Sequence, residues 1–213
     1  MRLELYARLS YDMSMNRKLN ELVEEIGKER AGLLECVAGL SQEQTQVRPE
    51  PEDWSVGEVL DHLHIIETRV VRLFGIHAAK AAEQGLGPDL SEESVLDSLD
   101  QFKPEVVTVK IKAPEAVAPR HGMGKNELLA GLETSRADLL DSVQKLSQYD
   151  LKQLIQPHPV FGPLNLYQWI LLVGKHEHRH ATQIKQIRQC CGFPESVDLS
   201  SEEGPSHERS LTH

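Results

Sequence analysis

The chain has 213 residues, 39% of them hydrophobic and 26% charged, which is enough apolar side chain for a buried core and excludes a wholly disordered polymer. A formal net charge of −10 excludes nucleic acid and anionic membrane as main partners. Three cysteines (Cys36, Cys190, Cys191) make no disulfide framework, and the longest apolar run, Trp169 to Val173, is far short of the roughly 18–20 residues of a membrane span.

In chain order, the first twelve residues carry acids early and lack the apolar core of a signal peptide, so a cytoplasmic location is expected. Apolar spacing predicts a first helix near 15–40, through Leu19, Leu22, Val23, Ile26, Leu33, Leu34 and Val37. A second is predicted near 56–83. Ser55 and Glu58 form a capping box at its start, with Trp54 and Val59 at the staple positions. A connection of about forty residues follows, holding a short helix at 91–99 and one weakly alternating strand candidate at 106–111. A third helix is predicted near 125–146 after Gly124. The fourth, near 166–191, opens on an Asn165/Gln168 box and is closed by Gly192 and Pro194.

Helices of this length with one apolar stripe need partners along their whole length, and the economical answer is an all-α four-helix bundle. The long connection between helices two and three allows a crossover, so the order need not be up-down-up-down. Residues 1–194 form the expected domain. Residues 195–213, with five acids, one Arg and no periodicity, form an expected disordered acidic tail, and His207 and His213 there receive no role.

Ten histidines are the compositional oddity. On the fourth helix the stripe Leu166, Trp169, Val173, Ile184, Ile187 continues through positions 176 and 180, both His. Side chains four apart share a helix face, which suits two ligands on one ion. On the second helix His62 falls on the stripe with Val59, Ile66, Val70 and Leu73. His64 and His178 lie about 200° from these positions and are expected to face outward. Periodicity thus selects His62, His176 and His180 as inward-facing, an open three-imidazole transition-metal site. For His77, His121 and His158 the structural reading is preferred, and Glu58 reads as a cap. The run His176-Glu177-His178-Arg179-His180 also spells H-E-x-x-H, the zinc-hydrolase pattern with Glu as general base, but Gln183 and Gln186 break its metzincin extension.

Two stretches, Asp53-Trp54-Ser55-Val56-Gly57-Glu58-Val59-Leu60-Asp61-His62-Leu63 and His176-Glu177-His178-Arg179-His180-Ala181-Thr182-Gln183-Ile184, together resemble the DinB/YfiT-like superfamily of metalloenzymes. The likeness covers roughly residues 16–192. It implies a four-helix bundle with non-sequential helix order and a divalent-metal site for nickel, zinc or a similar ion. The family's ligands carry over to His62, His176 and His180. It also implies a spread of activities, including thiol transferases that use a low-molecular-weight thiol and hydrolases.

Three neutral ligands leave a divalent ion its charge, which lowers the pKa of a bound water or thiol toward neutrality. The expected function is a metal-dependent transferase or hydrolase acting on a small molecule. The alternatives are a non-catalytic metal- or ligand-binding bundle and an H-E-x-x-H zinc hydrolase. Neither nucleic acid nor membrane is an expected partner, and a homodimer is compatible with the sequence.

Overall fold

Helix starts leave backbone N–H groups without intrahelical acceptors, and here polar side chains take them up. Asn16 accepts from the Leu19 N–H at the start of α1 (Arg17–Val37). Reciprocal boxes open α2 (Gln42–Gln46) through Ser41 and Gln44, and α3 (Val56–Glu83) through Ser55 and Glu58. α4 (Lys125–Leu146) begins at Gly124 without a side-chain cap, and α5 (Leu166–Cys190) begins on the Asn165/Gln168 box. The computed structural model describes residues 15–102 and 114–193. The expected strand at 106–111 and the expected tail at 195–213 lie outside the described residues.

Four long helices form a bundle in which the partners run parallel in pairs. Along α1 and α5, Asn16 meets Tyr167, Glu29 meets His178 and the Cys36 carbonyl meets Arg188, so residue numbers rise together. Along α3 and α4, His64 lies against Gly131 and Glu67 against Ser135 and Arg136, again in step. One apolar cluster joins the starts of α1 and α5 to the ends of α3 and α4, as Leu19, Leu166, Phe74 and Val143. The other joins the opposite ends, as Val37, Ile187, Val56 and Leu128. The order is therefore up-down-down-up, with the end of α3 and the start of α4 at opposite ends of the bundle.

Three expectations need correction. The first helix stops at Val37, not 40, because Gly39 turns the chain with φ 75°. The segment 91–99 is not a helix but part of a run of turns, closed by Ser98 N–H to Val95 C=O and Asp100 N–H to Asp97 C=O. Local side chains compete there for the backbone: Asp89 accepts the Ser91 N–H and the Ser94 hydroxyl accepts the Leu96 N–H. A two-stranded antiparallel hairpin, β1 (Ile155–His158) and β2 (Gly162–Asn165), precedes α5 where no strand was expected. A 3-10 turn, Glu115–Val117, lies in the long connection.

The buried seams are finer than the predicted stripes. On α3 the seam runs through Leu60, Leu63, Glu67, Val70, Phe74, His77 and Ala81. On α5 it runs through Leu166, Ile170, Val173, Glu177, His180, Ile184 and Ile187. Both alternate steps of three and four, the coiled-coil spacing. Ile66, Leu73, Trp169 and His176, predicted as stripe residues, are half-buried flanks of these seams.

Candidate metal centre

Between the two apolar clusters each long helix contributes one charged residue to the seam: Arg30, Glu67, Arg136 and Glu177, none more than 2% exposed. Arg30 donates to Glu177 Oε1 at 2.6 Å and to Glu67 Oε2 at 2.9 Å. Arg136 donates to Glu67 Oε1 and to Glu177 Oε2, each at 2.7 Å. The remaining guanidinium donors reach the Leu132 and Ile26 carbonyls, and Ser135 donates to Glu67 Oε2 at 2.5 Å. Burial pushes the Glu67 carboxyl up, but Arg136 and Arg30 outweigh it and hold the group below the usual carboxylate range. Burial disfavours the Arg30 charge, yet Glu177 and Glu67 outweigh that and raise its pKa.

About one turn along α3 and α5 from this layer stands another polar group of the core. His62, His176 and His180 each offer a ring nitrogen, and these atoms all lie within 4.8 Å of one another. His62 and His180 are 5% exposed, whereas His176, on the flank of the seam, is half-buried. The His176 and His180 Nε2 atoms are 3.1 Å apart. Two nitrogens bound about 2.1 Å from one ion are separated by about 3.0–3.4 Å at octahedral to tetrahedral angles, so this pair already has ligand spacing.

The tautomers follow from the outer contacts. His62 Nδ1 is 2.8 Å from the Val117 carbonyl, which only accepts, so Nδ1 carries the proton and Nε2 a lone pair. His180 Nδ1 donates in the same way to Gln183 Oε1 at 2.8 Å. Carbonyl-backed Nδ1–H with a free Nε2 is the habitual arrangement of metal-binding imidazole. Burial pushes the His180 pKa down to about 4, with the His62 charge acting in the same direction. Burial also pushes His176 well down, reinforced by His180 and His62. It lowers His62 too, the Val117 carbonyl opposing in part. All three rings are thus neutral at neutral pH, as ligation requires.

Residues 116–120 are tied to α3 beside this site. Arg120 binds Asp61, the residue before His62, through its backbone N–H at 2.7 Å and its guanidinium at 2.7 Å. Arg69 donates to the Ala116 carbonyl at 2.5 Å. Trp54, just before the α3 cap, lies 4.9 Å from the His62 ring and 6.4 Å from the His180 ring, forming an aromatic wall.

The other histidines sort differently. His178 is exposed and meets Glu29 at 2.9 Å. His64 turns from the cluster, but it packs against Gly131 of α4 and is half-buried, with Nδ1 unpartnered, where an outward position was expected. His77 is buried, 3.3 Å from Gln156 Oε1. His121 is exposed beside Arg48 and Glu58, and Glu58 is the cap the sequence suggests. Glu177 lies on the seam with both carboxylate oxygens held by arginines, so it is not available as a general base at the histidines. Sequence reasoning missed the charge layer. Its signal was two Arg and two Glu at apolar-stripe spacing on four helices.

The chain belongs to the DinB superfamily, whose family model matches residues 25–184. Among its relatives is the uncharacterized protein YuaE of Bacillus subtilis (strain 168), 30% identical over 152 residues, which span 71% of this chain and 87% of YuaE. The fold is shared with the crystal structure of TT2238, a four-helix bundle protein, with a TM-score of 0.53 at 20% identity, over 79% of this chain and 98% of that one. No helix among the described residues is long and apolar enough to cross a membrane.

Proposed function

We propose that His62, His176 and His180 hold one divalent transition-metal ion and that the protein is a metal-dependent transferase or hydrolase acting on a small molecule in the cytoplasm. The observation that carries this reading is the convergence of three ring nitrogens, two of them fixed as lone-pair donors by Nδ1–H bonds to carbonyl oxygens. An all-imidazole set favours zinc or nickel over magnesium or calcium, which take oxygen ligands.

Such an ion, when bound, lowers the pKa of a coordinated water or low-molecular-weight thiol toward neutrality and so supplies a nucleophile. The chain's own residues do the rest. Val117 and Gln183 orient the rings of His62 and His180. Trp54 walls one side of the cluster through its contacts with the His62 and His180 rings. With Glu177 committed to Arg30 and Arg136, no glutamate within the H-E-x-x-H run serves as base, which favours transfer or hydrolysis through the bound nucleophile itself over the zinc-protease scheme.

Elemental analysis of protein purified without chelators should give close to one transition-metal ion per chain. A screen of the loaded protein for thiol transfer and for ester or amide hydrolysis then tests the reaction class. Metal uptake below one ion per ten chains, with zinc and nickel both supplied, would refute the site.

A further inference from the structure

The hairpin ahead of α5 carries a histidine outside the three-histidine cluster. His158 is the last residue of β1, paired with Gly162 across the turn. Its Nδ1 accepts two backbone N–H groups, from Val160 at 3.1 Å and from Phe161 at 3.3 Å. A ring nitrogen that accepts carries no proton, so the proton of the neutral ring sits on Nε2. The ring is held between Phe161, 4.9 Å away, and Trp169, 5.2 Å away. Trp169 is itself pinned by its indole N–H to the Gln156 carbonyl at 3.0 Å. What remains is one oriented N–H donor that bonds no group among the described residues.

The ring packs on the face of α5 that carries His176. Trp169, on which the ring leans, precedes His176 by seven residues and so lies on the same face of α5, two turns away. Burial lowers the His158 pKa, so at neutral pH it is a neutral donor and not a cation. The carboxylates around the cluster are already neutralised: Glu58 by Arg48, Asp61 by Arg120, Glu67 and Glu177 by Arg30 and Arg136. An anionic ligand therefore meets no unpaired acid among these residues.

We propose that His158, through Nε2–H, positions a carboxylate or carbonyl oxygen of the small molecule that binds at the three-histidine centre. The proposal rests on the metal reading given above. It makes His158 a ligand-positioning residue that selects acceptor-bearing ligands over purely apolar ones, with no role in holding the ion.

The test uses the full chain loaded with Co2+ and two series of probes. Mercaptoacetate, 3-mercaptopropionate and 4-mercaptobutyrate each bring a thiolate for the ion and a carboxylate at increasing reach. Ethanethiol, 1-propanethiol and 1-butanethiol are the apolar counterparts. Binding is read from the sulfur-to-cobalt charge-transfer absorption. One acid in the series should bind about tenfold more tightly than its apolar counterpart. His158→Phe, which keeps a ring and removes the donor, should erase that preference while leaving cobalt stoichiometry and thiol affinity unchanged. His158→Gln, which restores a donor, should recover part of it. A Phe variant that retains the wild-type preference, or a wild type that shows none at any length, overturns the proposal. Failure of the wild type to take up Co2+ would instead be failure of the metal reading, recorded separately. The nitrogen-15 ring signals of His158 supply a check independent of metal: protonation at Nε2 is expected, and protonation at Nδ1 contradicts the proposal.

Discussion

The charge layer and the histidine cluster are both polar groups in a bundle core, about one helical turn apart, and they differ in closure. In the layer, both oxygens of each glutamate are bonded and each arginine also reaches a main-chain carbonyl. Nothing there is left to offer a ligand. In the cluster the outer nitrogens of His62 and His180 are satisfied, by a carbonyl and an amide oxygen, while the inner nitrogens point at one another. Buried polarity alone does not mark a functional site. The mark is a set of lone pairs whose backs are fixed and whose fronts converge.

The largest expected effect comes from opening the closed region. Glu177→Gln removes a charge from between two buried arginines and should cost about 3–5 kcal/mol, the usual penalty for orphaning one member of a buried ion pair. In a domain of this size that corresponds to roughly 10 °C in melting temperature. The folded fraction should still bind metal at full stoichiometry. Loss of the metal without loss of stability would blur the distinction between the two regions.

Acid should act on the open region. The three cluster histidines have folded pKa values below the ordinary one, so between the two values the unfolded chain binds protons that the fold excludes. Stability is then complete above about pH 6.5 and declines as pH falls through that value. His180, lowered to about 4, contributes about 3 kcal/mol of that decline by pH 4. Urea titrations at pH 8, 6 and 4 should show it. A midpoint that does not move from pH 8 to pH 5 would contradict the buried neutral rings. In the layer, Glu67 is held below its ordinary pKa, so its contribution is lost only in still stronger acid.

A smaller effect is expected one contact further out. Gln183→Ala frees the His180 ring and should weaken metal affinity about 10- to 100-fold, the typical cost of losing an outer hydrogen bond to a metal-binding histidine. The melting temperature of the metal-free protein should hardly change. Unaltered affinity would show that the Gln183 contact does not orient the ligand.

The four long helices and their starts were legible because capping boxes and apolar spacing are local signals. Ser55/Glu58 and Asn165/Gln168 form the reciprocal bonds their spacing suggests. The three histidines were legible because His176 and His180 are four apart and His62 keeps helical phase with Val59. The seam's exact course was not. Apolar stripes drawn through Ile66 and Trp169 drift from the true seam, which passes through Glu67 and Glu177, and a charged residue on a stripe reads as solvated until its partners on three other helices are known. The hairpin was hidden by proline: Pro157 pairs with Pro163, and proline argues against a strand. Only the left-handed Gly162, with φ 72°, hinted at the turn. The segment 91–99 has helical composition, but Asp89 and Ser94 capture its backbone locally and Lys18 anchors Asp89 to α1 at 2.5 Å.

The central claim is that the open cluster, and not the neighbouring H-E-x-x-H glutamate, makes the metal site. Competitive zinc titration of the wild type, His62→Ala and Glu177→Gln tests it most directly. Wild type and folded Glu177→Gln should each bind one ion with similar affinity, while His62→Ala should bind at least about 100-fold more weakly. Full-affinity binding by His62→Ala, with loss of binding in folded Glu177→Gln, would contradict the account.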